Sequence, residues 1–187
     1  MPPCAHDIET PSPWVRRWAG AIPAGGRVLD VACGRGRHLR HLVSLGFAVV
    51  GVDRDEQALS ALRGLEGAEV CVADLESGPW PFSPGEFDGV VVTNYLHRPI
   101  FAHLVGALCP GGVLIYETFA LGNERYGRPS NPDFLLEPGE LLRSVEPLSV
   151  IAFEQGLVSS PKQALVQRIC ALRAKAGSSG VQVIALK

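Results

Sequence analysis

Paired cysteines are missing from this 187-residue sequence. Its five cysteines, Cys4, Cys33, Cys71, Cys109 and Cys170, are odd in number and form no Cys-x-x-Cys pair, so neither a metal site nor a disulfide framework is expected. No run of about 18 apolar residues occurs, so no membrane-crossing helix and no membrane partner are expected. The opening MPPCAHDIET has neither a basic leader nor an apolar core and does not read as a signal peptide. A cytoplasmic location with reduced thiols is the expectation. A basic excess is absent too: 17 Lys and Arg face 19 Asp and Glu. Phosphate neutralisation supplies much of the affinity of nucleic-acid binders, so this balance argues against a nucleic-acid partner, local patches aside.

What is present fits one globular domain spanning residues 1–187, with 47% hydrophobic and 19% charged residues. Residues 1–13 hold four prolines and read as a loose arm. A short helix is expected over Trp14–Ala21. Strands are expected at Arg27–Val31, Ala48–Asp53, Glu69–Ala73, Phe87–Thr93 and Gly112–Glu117, with helices at Arg37–Leu45, Glu56–Leu65 and Ile100–Leu108. No helix is visible between the third and fourth strands, so the loop around Trp80 must make that crossover. Residues 118–140 show no periodicity, which in a compact domain points to function or disorder. A short helix near Glu140–Ser144 and strands at Leu148–Phe153 and Ala164–Leu172 follow. Residues 174–180 read as a linker and Val181–Leu186 as a possible last strand. The pattern is α/β: a doubly wound, mostly parallel, seven-stranded Rossmann-like sheet with helices on both faces. Nothing in it sets an oligomeric state.

The strongest motif is Val28-Leu29-Asp30-Val31-Ala32-Cys33-Gly34-Arg35-Gly36-Arg37-His38. A buried strand ends in an acid, turns through small residues and enters a helix. Side chains at Gly34 or Gly36 would obstruct a ligand that touches the backbone there. A dinucleotide site wants a third glycine, where this chain has Leu39, and has no use for an acid that repels pyrophosphate. A ligand with an ammonium-bearing amino-acid end would instead be welcomed by Asp30, which alternatively only pins the loop. Asp53 ends the second strand, 19 positions after Gly34, where an acid can accept ribose hydroxyls. Asp74 and Leu75 follow the third strand. Taken singly, Asp53 and Asp74 also read as a helix cap and a turn residue. The sheet would bring all three acids to one edge, the carboxyl ends of its strands.

This segment resembles motif I of the class I S-adenosylmethionine-dependent methyltransferases, an acid followed by Gly-x-Gly-x-Gly, with Ala32 in place of the first glycine. The resemblance implies S-adenosyl-L-methionine as cofactor, held by Asp30, Ala32, Cys33, Gly34, Gly36, Asp53, Arg54, Asp74, Leu75 and Asn94. In that family an acid at Asp74 bonds the adenine amino group, and the end of the fourth strand borders the methionine part and the acceptor. Tyr95 and His97 are therefore the candidates for a base or acceptor-orienting group; alternatively His97 caps the next helix and Tyr95 packs. The Asn-Pro-Pro-Tyr type motif of amino-directed nucleic-acid methyltransferases is absent. Segments Pro11–Trp14, Tyr95–Pro99 and Tyr116–Pro132 are similar to a tellurite-resistance-like bacterial subgroup. There Glu117, Arg125 and Arg128 are acceptor-binding candidates, the two arginines reading equally as solvated charges. The expected activity is methyl transfer to a small molecule. A macromolecular acceptor (RNA or protein), a non-catalytic cofactor-binding protein and an NAD oxidoreductase rank behind it.

Overall fold

The computed structural model describes residues 10–175. Its strands are β1 Arg27–Val31, β2 Ala48–Asp53, β3 Ala68–Val72, β4 Phe87–Thr93, β5 Leu108–Phe119, β6 Ser149–Val158 and β7 Ala164–Leu172. Its α-helices are α1 Pro13–Trp18, α2 Arg37–Ser44, α3 Glu56–Ser60, α4 Phe101–Ala107 and α5 Glu140–Ser144. The strands form one seven-stranded sheet in the order β3-β2-β1-β4-β5-β7-β6. β1 to β5 run parallel, and β7 pairs antiparallel with both β5 and β6.

The apolar strands are continuous because helices cover both faces of the sheet. Val28, Val49, Val91 and Val113 pack with α1, α2 and α3. Leu29, Val50, Val90 and Leu114, one residue out of phase, pack with α4 and α5. Winding reverses between β1 and β4, so the crevice at their carboxyl ends is where ligands bind in such sheets.

Several boundaries differ from expectation for physical reasons. α3 stops at Ser60, and Leu62 from the turn beyond it is fully buried over Gly36. β6 runs to Val158 through Glu154-Gln155-Gly156, a polar stretch that an edge strand tolerates and that hides the strand in the sequence. The β3–β4 crossover has no helix: Trp80 stacks on His103 of α4 at 5.4 Å and meets Phe82 edge-on at 5.3 Å. Residues 118–140 are ordered. Leu136 N donates to Phe119 O at 3.0 Å, and buried Asn123 donates to Pro129 O and accepts from Leu165 N, both at 3.1 Å.

The loose arm is corrected at its C-terminal end. Ser12 is buried and caps α1, its Oγ accepting from Trp14 N at 3.0 Å. Residues 1–9, most of the proposed linker and the strand expected at Val181–Leu186 lie outside the described residues. No described helix is long and apolar enough to cross a membrane, and the described residues contain no group of three side chains suited to a metal.

Gly51, opposite Asp30 in β2, tests the packing below the crevice. A Cβ there would lie 2.6 Å from Leu39 Cδ1 and 2.8 Å from Cys33 Sγ. Gly51→Ala is expected to cost about 1–3 kcal/mol of stability by overpacking, read as a lower urea midpoint.

Candidate functional site

The β1–α2 loop turns by left-handed residues. Ala32 has φ 51°, Gly34 φ 53° and Gly36 φ 76°. Glycine adopts this region freely; alanine does so at a cost of about 1–2 kcal/mol. Above Gly34 a Cβ would meet nothing within 4 Å, so this backbone faces open space. Gly36 is different: a Cβ there would strike Leu62 Cδ2 at 2.6 Å, so its smallness serves packing rather than ligand clearance. The Cys33 side chain is likewise buried in the core beside Gly51, and burial pushes its thiol up, leaving only its backbone for the loop.

Asp53 shapes the loop. Its Oδ2 accepts from Gly34 N at 2.7 Å and its Oδ1 from Asp55 N at 2.9 Å. A carboxylate has about four lone-pair sites, so two remain for further donors. Neighbouring Arg54 is exposed and reaches Glu76 at 3.9 Å across the ends of β2 and β3. Asp74 is a turn residue, accepting from Ser77 Oγ at 2.7 Å and Glu76 N at 2.9 Å. These bonds, the Ser77 hydroxyl first, hold its carboxyl below the usual range. Leu75 turns its side chain into the core.

Asp30 is 1% exposed, and its Oδ2 has no hydrogen-bond partner among the described residues. Desolvation pushes its carboxyl up to about 7, against a backbone hydrogen bond from Leu39 and the Arg37 charge. An unpartnered buried carboxylate oxygen costs free energy unless something pairs with it. Such an atom on the strand that leads into the open Gly34 turn fits a ligand with a cationic end.

At the end of β4, Asn94 is exposed in the left-handed region at φ 54°, its N–H donating to Glu117 O at 2.9 Å. Tyr95 is half-buried, and its phenol is pushed up to about 12, first by desolvation and then by Glu76 and Asp74. It is therefore a neutral hydroxyl near the ends of β2 and β3. His97 makes no side-chain cap. It lines a cleft of about 150 Å³ with Leu75, Glu76, Trp80, Ile100 and His103. Arg125 and Arg128 lie exposed on the loop beyond β5.

Glu117, expected as a substrate group, has each oxygen engaged once within the fold. Oε1 accepts from Ser12 Oγ at 2.7 Å and Oε2 from Arg168 at 3.3 Å. Residues that sequence reasoning missed complete this region. His38 is 2% exposed, and its Nε2 accepts from Ser12 N at 3.1 Å. Nδ1 therefore carries the proton and donates to Thr93 Oγ1 at 3.2 Å. Desolvation, then the Arg37 charge, pushes this imidazole down to about 3, so it stays neutral. Arg98 pairs with Glu140 through Nε–Oε1 at 2.7 Å and Nη2–Oε2 at 3.0 Å, and donates to Asp133 O and Leu135 O. The arginine of the Tyr95–Pro99 segment thus stakes down the loop after β5. Nothing in the local sequence signals these pairings, which join residues 26 to 105 positions apart.

Two outcomes follow for the loop. Ala32→Gly relieves left-handed strain but loosens the unfolded chain, and is expected to raise stability by about 0.5–1 kcal/mol in thermal melts. For Asp30 the folded pKa of about 7 lies above the unfolded value of 3.8. The stability linked to its proton is full below the unfolded value and is lost as pH rises through the folded one, by up to about 1.4 kcal/mol per unit. Asp30→Asn should flatten this decline and leave the unliganded protein more stable than the parent at about pH 8, measured by urea titration across pH.

A family model described as a methyltransferase domain matches residues 28–112. The tRNA U34 carboxymethyltransferase of Methylococcus capsulatus is 35% identical over 147 residues, covering 67% of this chain and 45% of that protein. The ubiquinone biosynthesis O-methyltransferase of Bordetella bronchiseptica is 33% identical over 118 residues, covering 56% of this chain and 47% of its own length. The chain thus spans about half the length of the curated relatives it matches. With two relatives named for tRNA, the whole-chain charge balance does not support excluding a nucleic-acid partner. Among solved structures, TehB from Haemophilus influenzae superimposes with a TM-score of 0.69 at 18% identity, covering 84% of this chain and 60% of that one. A S-adenosylmethionine dependent methyltransferase from Mesorhizobium loti gives 0.67 at 17%, covering 82% and 94%. At these identities the likeness shows the fold. The motif I loop, this sheet and the family model agree: residues 28–112 form a methyltransferase domain of the class I, Rossmann-like, S-adenosylmethionine-dependent kind.

Proposed function

We propose that the chain transfers the methyl group of S-adenosylmethionine to a small-molecule acceptor. The observation that carries this reading is the unpartnered, buried Asp30 oxygen on the strand that leads into the open Gly34 turn, at the crevice between β1 and β4. Asp30 is assigned to the ammonium of the amino-acid end. Asp53 keeps two lone-pair sites for the ribose hydroxyls, and Asp74 with the Leu75 backbone takes the adenine edge. When bound, S-adenosylmethionine supplies a methyl carbon made electrophilic by its sulfonium. Transfer is an in-line displacement, so the protein's main contribution is to position the acceptor and exclude water. Asn94 is assigned to the cofactor, and Tyr95 to orienting the acceptor as a neutral hydroxyl. His97 is the candidate base where the acceptor holds a proton that must leave. Arg125 and Arg128 are proposed to meet an anionic acceptor from the loop beyond β5.

A second reading, a tRNA acceptor, is favoured by the similarity to the tRNA U34 carboxymethyltransferase of Methylococcus capsulatus. The two are separated by incubating the protein with methyl-labelled cofactor and cell extract, then fractionating small molecules, RNA and protein. Label confined to small molecules supports the first reading, and label in RNA overturns it. Calorimetry tests the cofactor: S-adenosylmethionine should bind at micromolar level and NAD not at all. Gly34→Leu should abolish that binding, and Asp53→Ala should weaken it by about 1–3 kcal/mol. Unchanged affinity in Asp53→Ala would remove the ribose assignment.

A further inference from the structure

An amino-acid end is a zwitterion, and Asp30 answers only its cation. We infer that Arg37 receives the carboxylate, completing a two-charge clamp; this rests on the reading of the site given above. Arg37 is the first residue of α2, directly after Gly36, and its guanidinium is half-buried. It lies within electrostatic reach of both Asp30, at the end of β1, and Glu117, near the end of β5. Arg37 opens α2 just beyond the exit of β1, and β4 is the next strand, so its helix starts at the edge where the winding reverses.

Its side-chain donors meet no acceptor among the described residues. Arg37 makes no hydrogen bond and no ion pair with any described residue. The two acids nearby do not explain its place there. Glu117 is committed to Ser12 and Arg168, and Asp30 lies beyond ion-pairing distance of Arg37, one of its oxygens unpartnered. Half-buried arginines normally find acceptors, and five N–H groups in a planar fork match a carboxylate in bidentate fashion. A ligand with an ammonium and a carboxylate on one carbon would satisfy the orphaned Asp30 oxygen and the idle Arg37 fork together. The same two groups discriminate against a dinucleotide, whose pyrophosphate suits Arg37 but not Asp30. They also discriminate against a nucleoside lacking the amino-acid end, which leaves both unsatisfied.

The test is calorimetry on the full chain with S-adenosylhomocysteine and with 5′-methylthioadenosine, which keeps the nucleoside and thioether but has no amino-acid end. Arg37→Met is expected to weaken S-adenosylhomocysteine about ten- to a hundredfold, the usual worth of a charge-assisted bidentate contact, and to leave 5′-methylthioadenosine within about twofold. Arg35→Met, at the exposed neighbouring arginine, should change neither. Parallel loss of both ligands in Arg37→Met would mean a disturbed loop, and unchanged S-adenosylhomocysteine would mean no contact; either overturns the inference. Should Arg37→Met fail to fold, decarboxylated S-adenosylmethionine serves on the unaltered protein. It should bind weaker than S-adenosylmethionine by the same factor, and equal binding overturns the clamp. Failure of the unaltered protein to bind any of these nucleosides refutes the cofactor assignment itself, and is told apart from failure of Arg37 alone by that control.

Discussion

A ligand-binding turn has to leave one side of its backbone bare, yet a bare left-handed turn has little to hold it. Here the Asp53 carboxylate does the holding. By accepting from Gly34 N in the loop and from Asp55 N in its own strand exit, it ties the β1–α2 turn to the end of β2. The turn then keeps its shape without filling the space above Gly34. Strand order supplies the rest, because winding reverses between β1 and β4. Remove that tie and the crevice loses its floor.

Below this floor the structure tolerates charge that it does not neutralise. Asp30 is buried with one oxygen unmatched, Arg37 is half-desolvated with its fork unmatched, and both stand at the same edge. Two polar groups beside them are satisfied. His38 is fixed as a neutral tautomer between Ser12 and Thr93, and Glu117 is held by Ser12 and Arg168. Two opposite charges left unmatched at one edge are what a binding site for a zwitterion requires.

The sheet was legible because its strands are buried on both faces and therefore uninterrupted: β1, β2, β4 and β7 coincide with their apolar runs. The antiparallel edge was not, since β6 passes through Glu154-Gln155-Gly156 and only pairing with β7 makes it a strand. At the site, the order of Asp30, Gly34, Asp53 and Asp74 was readable because each falls where a strand ends. What each residue does inside the loop was not. Gly36 and Cys33 sit in the motif, yet their side-chain positions answer to Leu62 and Gly51, residues contributed by other turns of the chain. Ser12, His38 and Arg168 escaped notice because their partnerships are made only by the tertiary fold.

The loop after β5 carries one more implication. It is fastened at Asn123, through Leu165 and Pro129, and again at residues 133–140 through Arg98 and Glu140. Between the fastenings, Glu124 to Gly127, Arg128 and Ser130 face solvent. That short reach is a natural cassette: its composition can drift, or be exchanged by design, while the two rivets preserve the scaffold, so new acceptor preferences can arise there without rebuilding the nucleoside crevice.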